Sequence, residues 1–135
     1  MIGHVCLNVA DLQASKTYFD ELMPLLDFEP YLAHDDQFAY CPVNGKPGTY
    51  LFFYPALDLA GYAYSQHRVG FQHLAFMVPT RSRVHEVRDA AHRLGSEIIH
   101  EPQHWPQYPP PYYATFWHDP LDGFMLEAVC HKDRD

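Results

Sequence analysis

The chain has 135 residues, 47% of them apolar, and a formal charge of −8, which suits one domain with a real core rather than two. The negative balance argues against nucleic acid, whose phosphates call for clustered Lys and Arg, and no apolar run approaches the roughly 20 residues of a membrane span. Three cysteines without CxxC spacing suggest reduced thiols, and Met1 leads into a strand-like run instead of a leader, so a cytoplasmic location is expected.

Residues 2–9, IGHVCLNV, alternate as a half-buried strand does, with His4, Cys6 and Asn8 on one face and Val5, Leu7 and Val9 on the other. Asp11 can cap a helix whose apolar positions run from Leu12 through Tyr18, Phe19 and Leu22 to Leu26. Three strands follow, near 28–33, 37–42 and 48–54, separated by the turn-rich stretches HDD and PVNGKPG. Residues 56–69 form a long connection with room for a short helix.

The pattern then repeats. In FQHLAFMV, residues 71–78, His73, Ala75 and Met77 share one face while Leu74, Phe76 and Val78 share the other. Thr80 caps a helix carrying Val84, Val87, Ala91 and Leu94, and Gly95 ends it. Aligning GHVCLNVAD with QHLAFMVPT places His4 on His73 at an offset of 69 residues. Three more strands are expected, near 96–101, 112–118 and 123–130. Between the first two of these, five prolines in residues 101–111 exclude helix and central strand and leave an extended loop. The last strands match as well, GTYLFF on GFMLEA, which sets Glu127 on Phe52. A carboxylate within the apolar run FMLEAV needs a cation or a proton. Each half therefore reads β-α-β-β-β: module one about 1–55, module two about 70–131, in an α+β fold of one domain.

His4, His73 and Glu127 thus stand on three strands, on the faces turned away from the helices. Here the chain resembles the vicinal oxygen chelate superfamily, which includes glyoxalase I, extradiol dioxygenases, methylmalonyl-CoA epimerase and the fosfomycin and bleomycin resistance proteins. HVCLNVADLQASKTYF is similar to its opening strand and helix, GFQHLAF to its central histidine strand, and DPLDGFMLE to its closing DPDG-x-x-x-E signature, with Leu121 inserted. The resemblance implies curved sheets around an open metal pocket, with His4, His73 and Glu127 as ligands. Two imidazoles and one carboxylate on one side of a divalent ion suit Fe(II) first, with Mn, Ni, Co or Zn as alternatives.

Departures from the family pattern narrow the subclass. Glyoxalase I and the epimerase take a fourth ligand from the last strand of the first half, where TYLFFYP offers none. The fosfomycin enzymes handle a phosphonate, and the ligand-bearing strands here carry no basic residue. An extradiol-type dioxygenase fits best, although Phe116 stands where those enzymes place a substrate tyrosine. Tyr112 and Tyr113 lie nearby, with Tyr113 taken as the candidate for that role although the facing of the two is open, and His104 or His67 is the candidate for a proton-transfer histidine. Alternation assigns Cys6, Asn8, Tyr50, Phe52 and Tyr54 to the pocket from one half, and Met77, Phe116 and Met125 from the other, giving an apolar, aromatic cavity for a small planar substrate. The alternatives are a lyase or isomerase of the same superfamily and a binding protein that sequesters a small molecule. The resemblance also implies a homodimer in which the ligands could come from different subunits.

Overall fold

The computed structural model describes residues 1–61 and 63–135. Its elements run β1 (His4–Val9), α1 (Leu12–Leu22), β2 (Phe28–His34), β3 (Gln37–Pro42), β4 (Tyr50–Pro55), β5 (Leu74–Met77), α2 (Arg81–Arg93), β6 (Glu97–His104), β7 (Tyr113–His118) and β8 (Met125–Cys130). This is the expected α+β pattern of two β-α-β-β-β modules. The chain divides into two compact units, Met1–Ala63 and Tyr64–Asp135, and the division falls inside the connection expected at 56–69. No helix forms there among the described residues, and none anywhere among them is long and apolar enough to cross a membrane.

The first unit is a four-stranded sheet in the order β1-β4-β3-β2. β1 runs parallel to β4, and the other pairs are antiparallel. The Asp11 carboxylate accepts from the Ala14 N–H at 3.0 Å and starts α1, the N-cap role that a short acidic side chain fills well. The helix stops earlier than its apolar period suggests. Pro24 lacks an N–H and its ring collides with the preceding turn, so residues 23–26 tighten into a 3-10 turn closed by Asp27 in the left-handed region (φ 62°). Leu7, Val9, Phe19, Leu22 and Phe53 are buried between helix and sheet, and Phe53 stacks on Phe38 at 4.6 Å. Full burial of each such side chain stabilises by about 1.5–3 kcal/mol.

The second unit repeats the plan in the order β5-β8-β7-β6. Thr80 accepts from the Arg83 N–H at 3.1 Å and caps α2; Gly95 at φ 95° ends it, a conformation cheap only for glycine. Val84, Val87, Ala90 and Ala91 bury one face of the helix, and Trp117 and Leu126 lie buried in the same unit. β5 is shorter than expected, beginning just after His73. β6 is longer, taking in Pro102, and it is an edge strand with register shifts between Ile98 and His100 and between His100 and Gln103. An edge position and bulges are where a sheet tolerates proline.

The registers of the two units correspond. Cys6 pairs with Phe52 in the first, and its equivalent Ala75 pairs with Glu127 in the second. The repeat is therefore structural as well as sequential, and Phe52 is the positional counterpart of Glu127.

Candidate metal centre

In the second unit the site is built from β8 and the turn before it. Asp119, 3% exposed, accepts three backbone N–H groups: Leu121 and Asp122 on Oδ1 at 2.9 and 2.8 Å, and Phe124 on Oδ2 at 2.7 Å. This turn absorbs the inserted Leu121 and feeds β8, every residue of which is buried. Glu127 lies on β8 opposite Phe116 of β7 and Ala75 of β5, and is fully buried at 0% exposure.

Both oxygens of Glu127 are engaged. Oε1 lies 2.9 Å from His73 Nε2, and Oε2 accepts the Tyr112 hydroxyl at 2.6 Å. His73 Nδ1 lies 2.9 Å from Gln72 Oε1, an arrangement that fixes the imidazole plane and turns Nε2 toward the carboxylate. Burial, the bond to Glu127 and then that carboxylate's charge push the Tyr112 phenol well above its ordinary value. Tyr112 therefore keeps its proton and remains a hydrogen-bond donor to Glu127 at neutral pH.

The pair fits a divalent metal. Two neighbouring ligands of an octahedral ion, each at about 2.1 Å and 90° apart, stand about 3.0 Å from one another, close to the 2.9 Å between His73 Nε2 and Glu127 Oε1. Within neither unit do the described residues gather three or more His, Cys, Asp or Glu side chains able to hold a metal ion. The third expected ligand, His4, belongs to the first unit. It is exposed on β1, its ring edge-on to Phe52 at 5.5 Å.

An aromatic wall adjoins the pair. The Phe116 ring lies edge-on to His73 at 5.5 Å and to Trp105 at 5.1 Å. His100, missed in the sequence, faces Phe116 at 5.5 Å and Trp105 at 5.0 Å. Trp105 is fixed by its indole N–H, which donates to the Ala114 carbonyl at 3.1 Å. Met125 is buried, its backbone N–H donating to the Tyr64 hydroxyl at 3.2 Å. Met77, at the end of β5, is instead 73% exposed.

The tyrosine on this face is Tyr112, not Tyr113. Tyr113 turns to the helix side, where its hydroxyl and His85 of α2 lie 2.7 Å apart, and the His104 ring meets it there edge-on at 4.9 Å. The distinction was readable: Tyr112 has the parity of Phe116, and Phe116 sits opposite Glu127. His100 was not readable, because the bulges of β6 reset its facing. His67 and His118 line a separate polar cleft of about 490 Å³, in which His118 Nε2 lies 3.0 Å from Gln66 Oε1.

In the first unit, Cys6 and Asn8 are exposed on the face of His4 and pair with Phe52 and Tyr54. Tyr31, 53% exposed, lies edge-on to Tyr50 at 4.9 Å. Asn8 and Tyr54 border a hollow of about 570 Å³. The sheet face away from α1 is thus open and aromatic.

Comparison with known proteins agrees with this architecture. The family model for the Glyoxalase/Bleomycin resistance protein/Dioxygenase superfamily matches residues 1–128. Among solved structures, a proposed glyoxalase from Bacillus halodurans is 28% identical with a TM-score of 0.76, over 96% of this chain and 95% of that one. A glyoxalase/bleomycin resistance protein from Albidiferax ferrireducens T118 is 20% identical with a TM-score of 0.78, over 98% and 99%. A lactoylglutathione lyase from Agrobacterium tumefaciens is 17% identical with a TM-score of 0.64, over 96% and 92%; these last two likenesses speak for the fold. No curated protein sequence gives a match. Two β-α-β-β-β units in matching register, the closing DPLDGFMLE motif and the family match over nearly the whole length together establish that this chain belongs to the Glyoxalase/Bleomycin resistance protein/Dioxygenase superfamily.

Proposed function

We propose that the protein is a divalent-metal-dependent oxygenase of the extradiol type, acting on a small aromatic substrate with vicinal oxygens. The observation that carries this reading is the His73 Nε2 and Glu127 Oε1 pair, 2.9 Å apart at the head of an aromatic wall. The family resemblance adds His4 as the third ligand and offers no fourth, since Phe52 stands at that place in the sequence. Two histidines and one carboxylate favour Fe(II), with Mn, Ni, Co and Zn as other occupants. When bound, the ion supplies a Lewis acid and a template for two neighbouring oxygens and, as iron, electrons for O₂.

The protein groups do the remaining work. Phe116 and Trp105 present ring surfaces that orient a planar substrate and exclude water. His100, exposed beside Phe116, is the group on this wall able to exchange a proton with a bound hydroxyl. Completion of the ligand set in a homodimer is part of the same proposal. Its support is the open aromatic face around Tyr31 and Phe52 in the first unit and, separately, exposed Met77 in the second, since exposed apolar surface is what an interface covers. Oxygen uptake by anaerobically Fe(II)-loaded protein across a catechol panel tests the activity, and the absence of uptake with every diol would end the oxygenase assignment.

One observation favours a second reading, sequestration without chemistry: Glu127 already has a partner on each oxygen, so the site is satisfied without an ion. Elemental analysis of protein purified without chelator separates the two. A protein that holds no metal and takes up none, while still binding an aromatic ligand, is a sequestering protein.

A further inference from the structure

Tyr112 is not part of the ligand set, yet it makes the shorter of the two contacts to Glu127. Its position is over-determined. The Trp105 backbone N–H donates to its carbonyl at 3.0 Å, the Tyr108 ring lies against it at 4.7 Å, and the His131 ring meets it edge-on at 5.0 Å. These contacts hold the phenol at the end of the strap that begins at Trp105, aimed at Oε2 alone.

We propose that Tyr112 is a positioning residue that holds Glu127 as a one-oxygen ligand: its hydroxyl occupies Oε2, so that only Oε1, beside His73 Nε2, is offered to the metal. A carboxylate free at both oxygens can rotate and chelate through both, taking one more coordination position. With three protein ligands on an octahedral ion, a one-oxygen Glu127 leaves three positions for water or substrate, and a two-oxygen Glu127 leaves two. Tyr112 thereby preserves the vacancy that a substrate with two vicinal oxygens and a further small ligand would need together. The inference rests on the metal-centre reading and concerns this chain's own hydrogen bond.

Mn(II) tests it without recourse to activity. Full-length protein stripped with chelator is titrated with Mn(II), and binding is followed by calorimetry and by water-proton relaxation. Tyr112→Phe removes one oxygen and strands no buried donor; its thermal midpoint without metal is recorded to show that it folds. Tyr108→Phe, which keeps the ring against Tyr112, serves as control. The expected result is that Tyr112→Phe lowers the relaxivity of the bound ion by about a third, as Oε2 replaces one of three waters, with Mn(II) affinity changed by no more than about 10-fold. Tyr108→Phe should match wild type in both. Wild-type affinity and relaxivity in Tyr112→Phe overturn the inference while leaving the metal centre standing. Weaker binding with unchanged relaxivity also overturns it, because the phenol would then be structural. If wild type binds no Mn(II), or binds it as well after Glu127→Ala, the metal-centre reading falls and the inference with it.

Discussion

Glu127 is a buried carboxylate whose two partners are a histidine and a phenol, and both depend on it as much as it depends on them. Without metal, Glu127→Ala leaves His73 Nε2 and the Tyr112 hydroxyl without their acceptor, and urea denaturation should show a loss of about 1–3 kcal/mol. A second phenol behaves similarly in the other unit. The Tyr40 hydroxyl donates to Asp20 Oδ1 at 2.8 Å; burial first, then this bond and the carboxylate's charge, raise its pKa far above the ordinary value. The folded state therefore holds this proton more tightly than the unfolded state. The resulting stability is complete below the unfolded tyrosine value of about 10 and drains away as pH climbs beyond it. At neutral pH, Tyr40→Phe should cost about 1 kcal/mol. Above pH 10, roughly the unfolded value, its urea midpoint should fall less steeply than that of wild type.

The elements themselves were largely legible in the sequence, because each carries its own punctuation. Asp11 and Thr80 cap the helices as their chemistry predicts, and strict alternation in IGHVCLNV gives the buried and open faces of β1. Where legibility failed, a backbone irregularity or a tertiary partner intervened. Pro24 shortened α1, the bulges in β6 turned His100 to the site, and nothing in the sequence alone shows that Tyr113 would find His85. The role of Asp119 was also hidden, since an aspartate beside a proline turn is common on surfaces, whereas this one is buried under three N–H donors. Asp119→Ala should cost about 3 kcal/mol by urea denaturation. It should also weaken Mn(II) binding at the proposed centre, because the turn sets the start of β8.

At the scale of the whole molecule, the ligand set tests the assembly. Sedimentation should report twice the 15.7 kDa chain mass. If His4 from one copy completes the site of another, His4→Ala and Glu127→Ala proteins should each bind Mn(II) poorly, and after mixing and refolding about a quarter of the sites should return, as random pairing of a symmetric dimer dictates. No recovery would place all three ligands in one chain. The matched registers carry a last consequence. Phe52 sits opposite Cys6 just as Glu127 sits opposite Ala75, with the His4 ring 5.5 Å away. The first unit is thus a copy of the unit that carries Glu127, with the acid replaced by a ring, and Phe52→Glu would install a carboxylate beside His4. A single residue change of this kind alters the acid and aromatic content of a unit without altering its scaffold.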